Sequence, residues 1–197
     1  MRPPVILLTG PSGLGKTTVC MKVIERVRAR GLTVGGVATE NLATRAGASA
    51  QYVTDIAGGE RRRLATATQE RERVRERVEG RGRSFGPEEF AASWRFDEGG
   101  VALGNAALVA TLAAPPDLLV VDQIGPLELW CGAGFTAVFD VVRHGRQAAS
   151  LIAVHPLTRD QAEACFPEPL HVLEVALETR DALPDAVLGL VDAAARS

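Results

Sequence analysis

Short apolar runs alternate along the chain with longer stretches in which apolar residues recur every three to four positions. Residues 5–9 (VILLT), 34–38, 118–122 (LLVVD), 151–154 and 172–177 are mostly apolar or β-branched and are bounded by Gly, Pro or charged residues. Runs of that length fit strands covered on both faces, as in a parallel sheet. Between them, residues 17–30 put Val19, Cys20, Val23, Ile24 and Val27 at helical spacing and stop at Gly31, where a C-terminal cap is expected. Residues 135–143 and 182–195 carry the same period. Five such strands with helices between them predict a doubly wound α/β fold, a mostly parallel sheet flanked by helices.

The middle of the chain departs from this rhythm. Residues 51–56 and 61–65 flank Ala57-Gly58-Gly59-Glu60, which predicts a hairpin and hence a small antiparallel insert. Residues 69–83 alternate Glu and Arg around only Val74 and Val78, too little apolar surface for a buried helical face. A solvated, mobile, lid-like segment is expected there. The insert is assigned to 45–97 within one domain spanning 1–197, because 197 residues make one ordinary domain.

Composition narrows the function classes. A net charge of -2 gives no global basic field to recruit nucleic acid or anionic lipid. No apolar stretch approaches the roughly 18 residues that a membrane helix needs, and the first ten residues do not form a signal peptide. A cytoplasmic protein is expected. Cys20, Cys131 and Cys165 suggest neither a disulfide framework nor a zinc site, and His144, His155 and His171 fall at no metal-ligand spacing. With no repeat or heptad, a monomer is the default, and any protein partner is left unspecified.

The chemistry is carried by Gly10-Pro11-Ser12-Gly13-Leu14-Gly15-Lys16-Thr17-Thr18, a full match to G-x-x-x-x-G-K-[ST] set between a strand and a helix. Glycines let successive backbone N–H groups turn inward around a phosphate, and the helix N-terminus adds the positive end of its dipole. Lys16 is expected on the β- and γ-phosphates, Thr17 on Mg²⁺ and Thr18 on a phosphate oxygen. A second strand should supply a carboxylate to the Mg²⁺ shell. Leu118-Leu119-Val120-Val121-Asp122 provides it, which makes Asp122 the Walker B residue.

The P-loop, Gly36-Val37-Ala38-Thr39-Glu40-Asn41 and Asp122-Gln123-Ile124-Gly125-Pro126-Leu127-Glu128-Leu129 together resemble the small P-loop nucleoside-triphosphatase family that includes the thermophilic and human cancer-related NTPases. The segment from Arg95-Phe96-Asp97-Glu98 through Gly104-Asn105-Ala106 resembles its bacterial members, as does Glu178 to Asp181. The resemblance implies a RecA-like sheet and Mg²⁺-dependent hydrolysis of ATP, GTP and other NTPs, slow and tolerant of the base. Two positions depart from the family pattern: Gln123 stands where Glu is usual, and Thr179 where Asn is usual. An amide cannot accept a proton from attacking water, and general-base catalysis contributes about 10²–10⁴ in rate. Gln123 could still orient the water, as a glutamine does in Ras-like GTPases.

These expectations assign Lys16, Asp122, Gln123 and Glu128 to catalysis and Gly10 to Thr18 to the nucleotide. Two alternatives stand beside hydrolysis: a P-loop kinase with 45–97 as its lid, and a regulatory nucleotide-binding module with vestigial turnover. Thr39 and Glu40 follow the second strand at the edge where ligands of open sheets gather. Arg45, Arg61, Arg62, Arg63 and Arg95 include possible arginine fingers. Trp94 and Trp130 are candidate stacking partners for a base, and Cys131 adjoins the Walker B loop.

Overall fold

The computed structural model describes residues 2–43, 49–69, 71 and 86–195. In chain order the elements are β1 (Val5–Thr9), α1 (Lys16–Ala29), β2 (Val34–Ala43), β3 (Ser49–Asp55), β4 (Arg61–Ala67), α2 (Pro87–Ser93) and β5 (Trp94–Phe96). Then come α3 (Glu98–Ala113), β6 (Leu118–Ile124), α4 (Pro126–Leu129), α5 (Ala137–His144) and β7 (Ala149–Val154). A 3₁₀ turn (Pro156–Thr158), α6 (Arg159–Cys165), β8 (Leu170–Glu174) and α7 (Leu183–Ala195) complete it.

The eight strands among the described residues share one sheet in the order β5-β4-β3-β2-β6-β7-β1-β8. The five strands read as apolar runs form its parallel part, through the pairs β2–β6, β6–β7, β7–β1 and β1–β8. One strand, β7, separates β1 from β6, which is the RecA-like arrangement expected. The hairpin is present as β3 and β4, and both these strands and β5 extend the same sheet antiparallel rather than standing apart from it.

Apolar side chains pack on both faces. On one, Ile6, Leu8 and Val120 of the sheet meet Val19, Cys20, Val23 and Val27 of α1 and Val187 and Val191 of α7. On the other, Leu7, Val37, Leu119 and Val121 meet Leu108 of α3 and Val138 and Val141 of α5. Burial on both sides is why these strands lack polar alternation. Helix α1 ends as expected, with Gly31 N–H on the Arg28 carbonyl at 2.9 Å and Leu32 N–H on that of Val27 at 3.3 Å, the Schellman pattern.

Several boundaries differ from expectation. β2 is twice the predicted length, because its second half turns from β6 to pair with β3. β8 covers 170–174 instead of 172–177: beyond Glu174 the chain turns, and the Thr179 hydroxyl donates to the Glu174 carbonyl and accepts the Ala176 N–H, both at 3.0 Å. Neither α3 nor β5 was anticipated. α3 is apolar nearly all round and glycine-rich, so it shows no amphipathic stripe. Its glycines are seats for neighbours: a Cβ on Gly100 would lie 2.1 Å from the Arg63 carbonyl oxygen, and one on Gly104 would lie 2.1 Å from the Phe135 ring. The expectation for 69–83 falls outside the described residues, Gln69 and Arg71 apart, as does Arg45. Among the described residues no helix is long and apolar enough to cross a membrane.

Candidate active site

The C-terminal ends of β1, β6, β7 and β2 converge on one cleft of about 620 Å³. The loop after β1 forms its first wall. Gly10 has φ +136°, and a Cβ there would lie 2.6 Å from the Val175 carbonyl oxygen, so only glycine passes this point beside the exit of β8. The loop delivers the chain into α1, whose first residue is Lys16. The Lys16 ammonium donates to the carbonyls of Gly10 at 2.6 Å and Pro11 at 3.2 Å, which holds it inside the loop's curve. Burial lowers its pKa from the ordinary lysine value, and the charge of Asp122 opposes that shift.

Asp122 stands at the end of β6 and is 1% exposed. Its Oδ1 accepts the Thr17 hydroxyl at 3.2 Å, and its Oδ2 accepts both the N–H and the hydroxyl of Thr39, each at 3.2 Å. Burial raises the carboxyl pKa, while these donors and the Lys16 charge pull it down. Thr39 is therefore placed behind the carboxylate, fixing its rotamer. Glu40, the next residue, points to the other face and pairs with Arg61 at 2.7 Å.

Gln123 is the only non-glycine residue with positive φ, +88°, among the described residues. The β6–β7 register shifts between Asp122 and Ile124, so the strand bulges at this position and turns the Gln123 side chain into the cleft. Glu128 is buried one turn further on. Its Oε2 accepts the Gly125 N–H at 2.9 Å, which caps the start of α4, and its Oε1 accepts the Phe135 N–H at 3.0 Å. Burial pushes its carboxyl up to about 7 against the pull of those donors. Glu128 lines the cleft and at the same time holds the 125–135 loop closed.

Two positions that shape the site were not singled out from the sequence. His155, directly after β7, lines the cleft between β1 and β6. Its backbone N–H donates to Ile124 at 2.8 Å, and its Nδ1 accepts the Leu157 N–H at 3.3 Å. Burial, aided by the Lys16 charge, lowers its pKa. The neutral ring therefore carries its proton on Nε2. The available signal was its place after an apolar run at the sheet's ligand edge. Asn105 of α3 is the second: its amide donates to the Gly134 carbonyl at 2.7 Å, and its Oδ1 accepts the Ala137 N–H at 3.0 Å, which supports the loop that Glu128 clasps.

The other candidates separate cleanly. Trp94 lines the cleft, whereas Trp130 does not, and Cys131 is an exposed thiol outside it. Arg61, Arg62 and Arg63 are paired away from the cleft with Glu40, Glu60 and Asp97, and Arg95 is exposed. Among the described residues Arg71, from the Glu and Arg stretch, is the arginine that lines the cleft, with its guanidinium 4.2 Å from the Trp94 ring centroid. Among the described residues no group of three or more His, Cys, Asp or Glu side chains is arranged to hold a metal.

The chain is similar to known proteins over nearly its whole length. The family model described as NTPase matches residues 5–188. "Nucleoside-triphosphatase THEP1" of Methanopyrus kandleri is 27% identical over 94% of this chain and 94% of its own, and that of Methanosarcina acetivorans is 28% identical over 92% and 93%. Among solved structures, a human cancer-related nucleoside triphosphatase superposes with a TM-score of 0.66 at 20% identity over 98% of both chains. THEP1 from Aquifex aeolicus does so with 0.59 at 18% identity, over 95% of this chain and 98% of that one. These structural likenesses speak for the fold. The family match, running from β1 into α7, makes the chain a member of the NTPase family.

Proposed function

We propose that this chain is a nucleoside-triphosphate phosphohydrolase that splits the γ-phosphate of ATP, GTP and other NTPs with water, using Mg²⁺. The observation that carries the reading is the bond from Thr17, at the start of α1, to Asp122, at the end of β6, at 3.2 Å across 105 residues of sequence. It joins a phosphate-binding loop to a buried carboxylate, and the relatives named as nucleoside-triphosphatases support the same activity. The reading treats 1–197 as one domain, in keeping with a single sheet that includes the antiparallel strands.

The Thr17 hydroxyl and the Asp122 carboxylate are hard oxygen donors side by side, the set that Mg²⁺ takes together with waters and substrate phosphates. Thr17 and Asp122 would hold the ion, and its charge would offset negative charge on the substrate phosphates. The backbone N–H groups of residues 13–18 and the Lys16 ammonium hold the phosphates in line. Thr39 keeps the Asp122 carboxylate in a fixed rotamer, which saves reorganisation during the reaction. Gln123 orients the attacking water through its amide without taking its proton. The Nε2–H of His155 donates to the terminal phosphate or to the water. Glu128 acts at one remove, since both its oxygens hold the loop that shapes the cleft.

Without a carboxylate after Asp122 the turnover is slow, for a general base contributes about 10²–10⁴. The test is phosphate release from an NTP panel with Mg²⁺, comparing the parent with Lys16→Ala. Turnover lost in the variant supports hydrolysis by this site. Equal release from both proteins overturns it.

A further inference from the structure

The cleft continues past the P-loop and β6 toward the antiparallel strands. Its near half contains Lys16, Thr17, Asp122 and His155. Its far half lies over β2, β3, β4 and β5, beyond β6 in the sheet order. Thr17 and Asp122 mark the metal and γ-phosphate side of the bound nucleotide, so its α-phosphate and nucleoside leave in the opposite direction, toward β8. A smaller cleft of about 190 Å³ with Thr18, Lys22, Arg180 and Asp181 on its walls lies there. The far half is thus not on the path of the nucleotide's own base. At about 4.8 Å per strand, β3 stands four strands, roughly 19 Å, from the P-loop strand.

The lining of that far half has a definite chemistry. Asn41 of β2 and Gln51 of β3 are direct cross-strand partners, and both side chains line the cleft. Gln51 is 8% exposed, and its amide has no hydrogen-bond partner among the described residues. A buried amide left unmatched is rare in folded proteins, because its desolvation is uncompensated unless a ligand or water meets it. The same part of the cleft is lined by Phe96, which stands in one cross-sheet row with Asn41, Gln51 and Ala65, by Phe90, whose ring centroid is 6.0 Å from that of Phe96 and tilted by 33°, and by Trp94, whose ring carries the Arg71 guanidinium. Paired side-chain amides match the donor and acceptor edge of a heteroaromatic base, and aromatic walls take its face.

We propose that the far half of the cleft is a second ligand site for a nucleobase-bearing small molecule, with Gln51 and Asn41 on the base edge and Phe90 and Phe96 along its ring. The proposal rests on the assignment of the γ-phosphate to Lys16, Thr17 and Asp122. The second ligand then lies next to the terminal phosphate of the first, while the two bases point away from each other.

The test loads the full chain with a non-hydrolysable ATP analogue and Mg²⁺, confirms loading with a fluorescent version of that analogue, and titrates free adenosine, guanosine, cytidine and uridine by calorimetry. At least one nucleoside is expected to bind saturably, one per chain, without displacing the analogue. Asn41→Ala, at an exposed position, and Gln51→Leu should each weaken it about ten- to a hundredfold, with folding checked by circular dichroism. The proposal is overturned if no nucleoside saturates at millimolar concentration, if the nucleoside and the analogue exclude each other, or if both variants bind like the parent. Loading is read separately, so a failure of the P-loop assignment shows as loss of analogue binding and not as loss of nucleoside binding.

Discussion

Glu128 accepts the backbone N–H of Phe135 at 3.0 Å, seven residues along a loop that its other oxygen anchors at Gly125. The carboxylate is so enclosed that a Cβ on Gly134 would lie 2.1 Å from its Oε1. With the folded-state value at about 7 and an ordinary value of 4.5, the folded protein keeps this proton where the unfolded chain has lost it. Stability from this group is therefore full below pH 4.5 and declines as pH rises to about 7, by about 3 kcal/mol. Urea unfolding between pH 4 and 8 should show that decline in the parent and its absence in Glu128→Gln. A decline of equal size in both would show that Glu128 titrates as an ordinary glutamate.

Gln123, directly after the buried Asp122, holds a backbone conformation that L side chains rarely adopt. Gln123→Gly should relieve the strain and raise stability by up to about 1 kcal/mol, while lowering kcat because the amide is gone. Gln123→Glu restores a proton acceptor and should raise kcat about tenfold or more. An unchanged kcat in the Glu variant would show that water orientation, and not proton removal, limits the rate.

His155 presents an Nε2–H to the cleft because Leu157 occupies Nδ1. His155→Ala should lower kcat about tenfold with little change in KM, and His155→Gln, which keeps an N–H donor, should recover part of it. Burial lowers this imidazole's pKa below that of the unfolded chain, so it stays neutral at neutral pH. Stability linked to it is lost as pH falls through the unfolded value of 6.5, since only the unfolded chain then takes the proton. Nitrogen NMR of the imidazole would read the tautomer directly, and a proton on Nδ1 would remove the assigned role.

Gly36 lies in β2 at φ +106°, and a Cβ there would meet the Val120 carbonyl oxygen at 2.0 Å. Gly36→Ala should cost more than about 3 kcal/mol, since strain and a backbone clash add. Gly35→Ala, whose nearest neighbour would be the Thr111 methyl at 3.1 Å, should cost less. Unfolding midpoints of the two variants should differ in that order, and equal midpoints would show that β2 can shift away from β6.

The sequence by itself determined what depends on neighbouring positions. The phosphate loop is nine consecutive residues, and its glycines and helix start act within that span. The five parallel strands were readable because burial on both faces leaves an unbroken apolar run, and Gly31 because a helix cap is local. The tertiary structure decided what depends on the order of strands. Sheet order brings Thr17 and Thr39 to Asp122 and puts His155 beside Lys16. It also sets Asn41, Gln51 and Phe96 in one row across the sheet. Helix α3 was invisible for the same reason, since Gly100 and Gly104 are unfavourable in an isolated helix and become the right residues only where β4 and Phe135 press against them. Local propensity acts over a turn or two of chain, whereas packing and hydrogen bonds select residues by what stands opposite them, and no single stretch of sequence contains both partners.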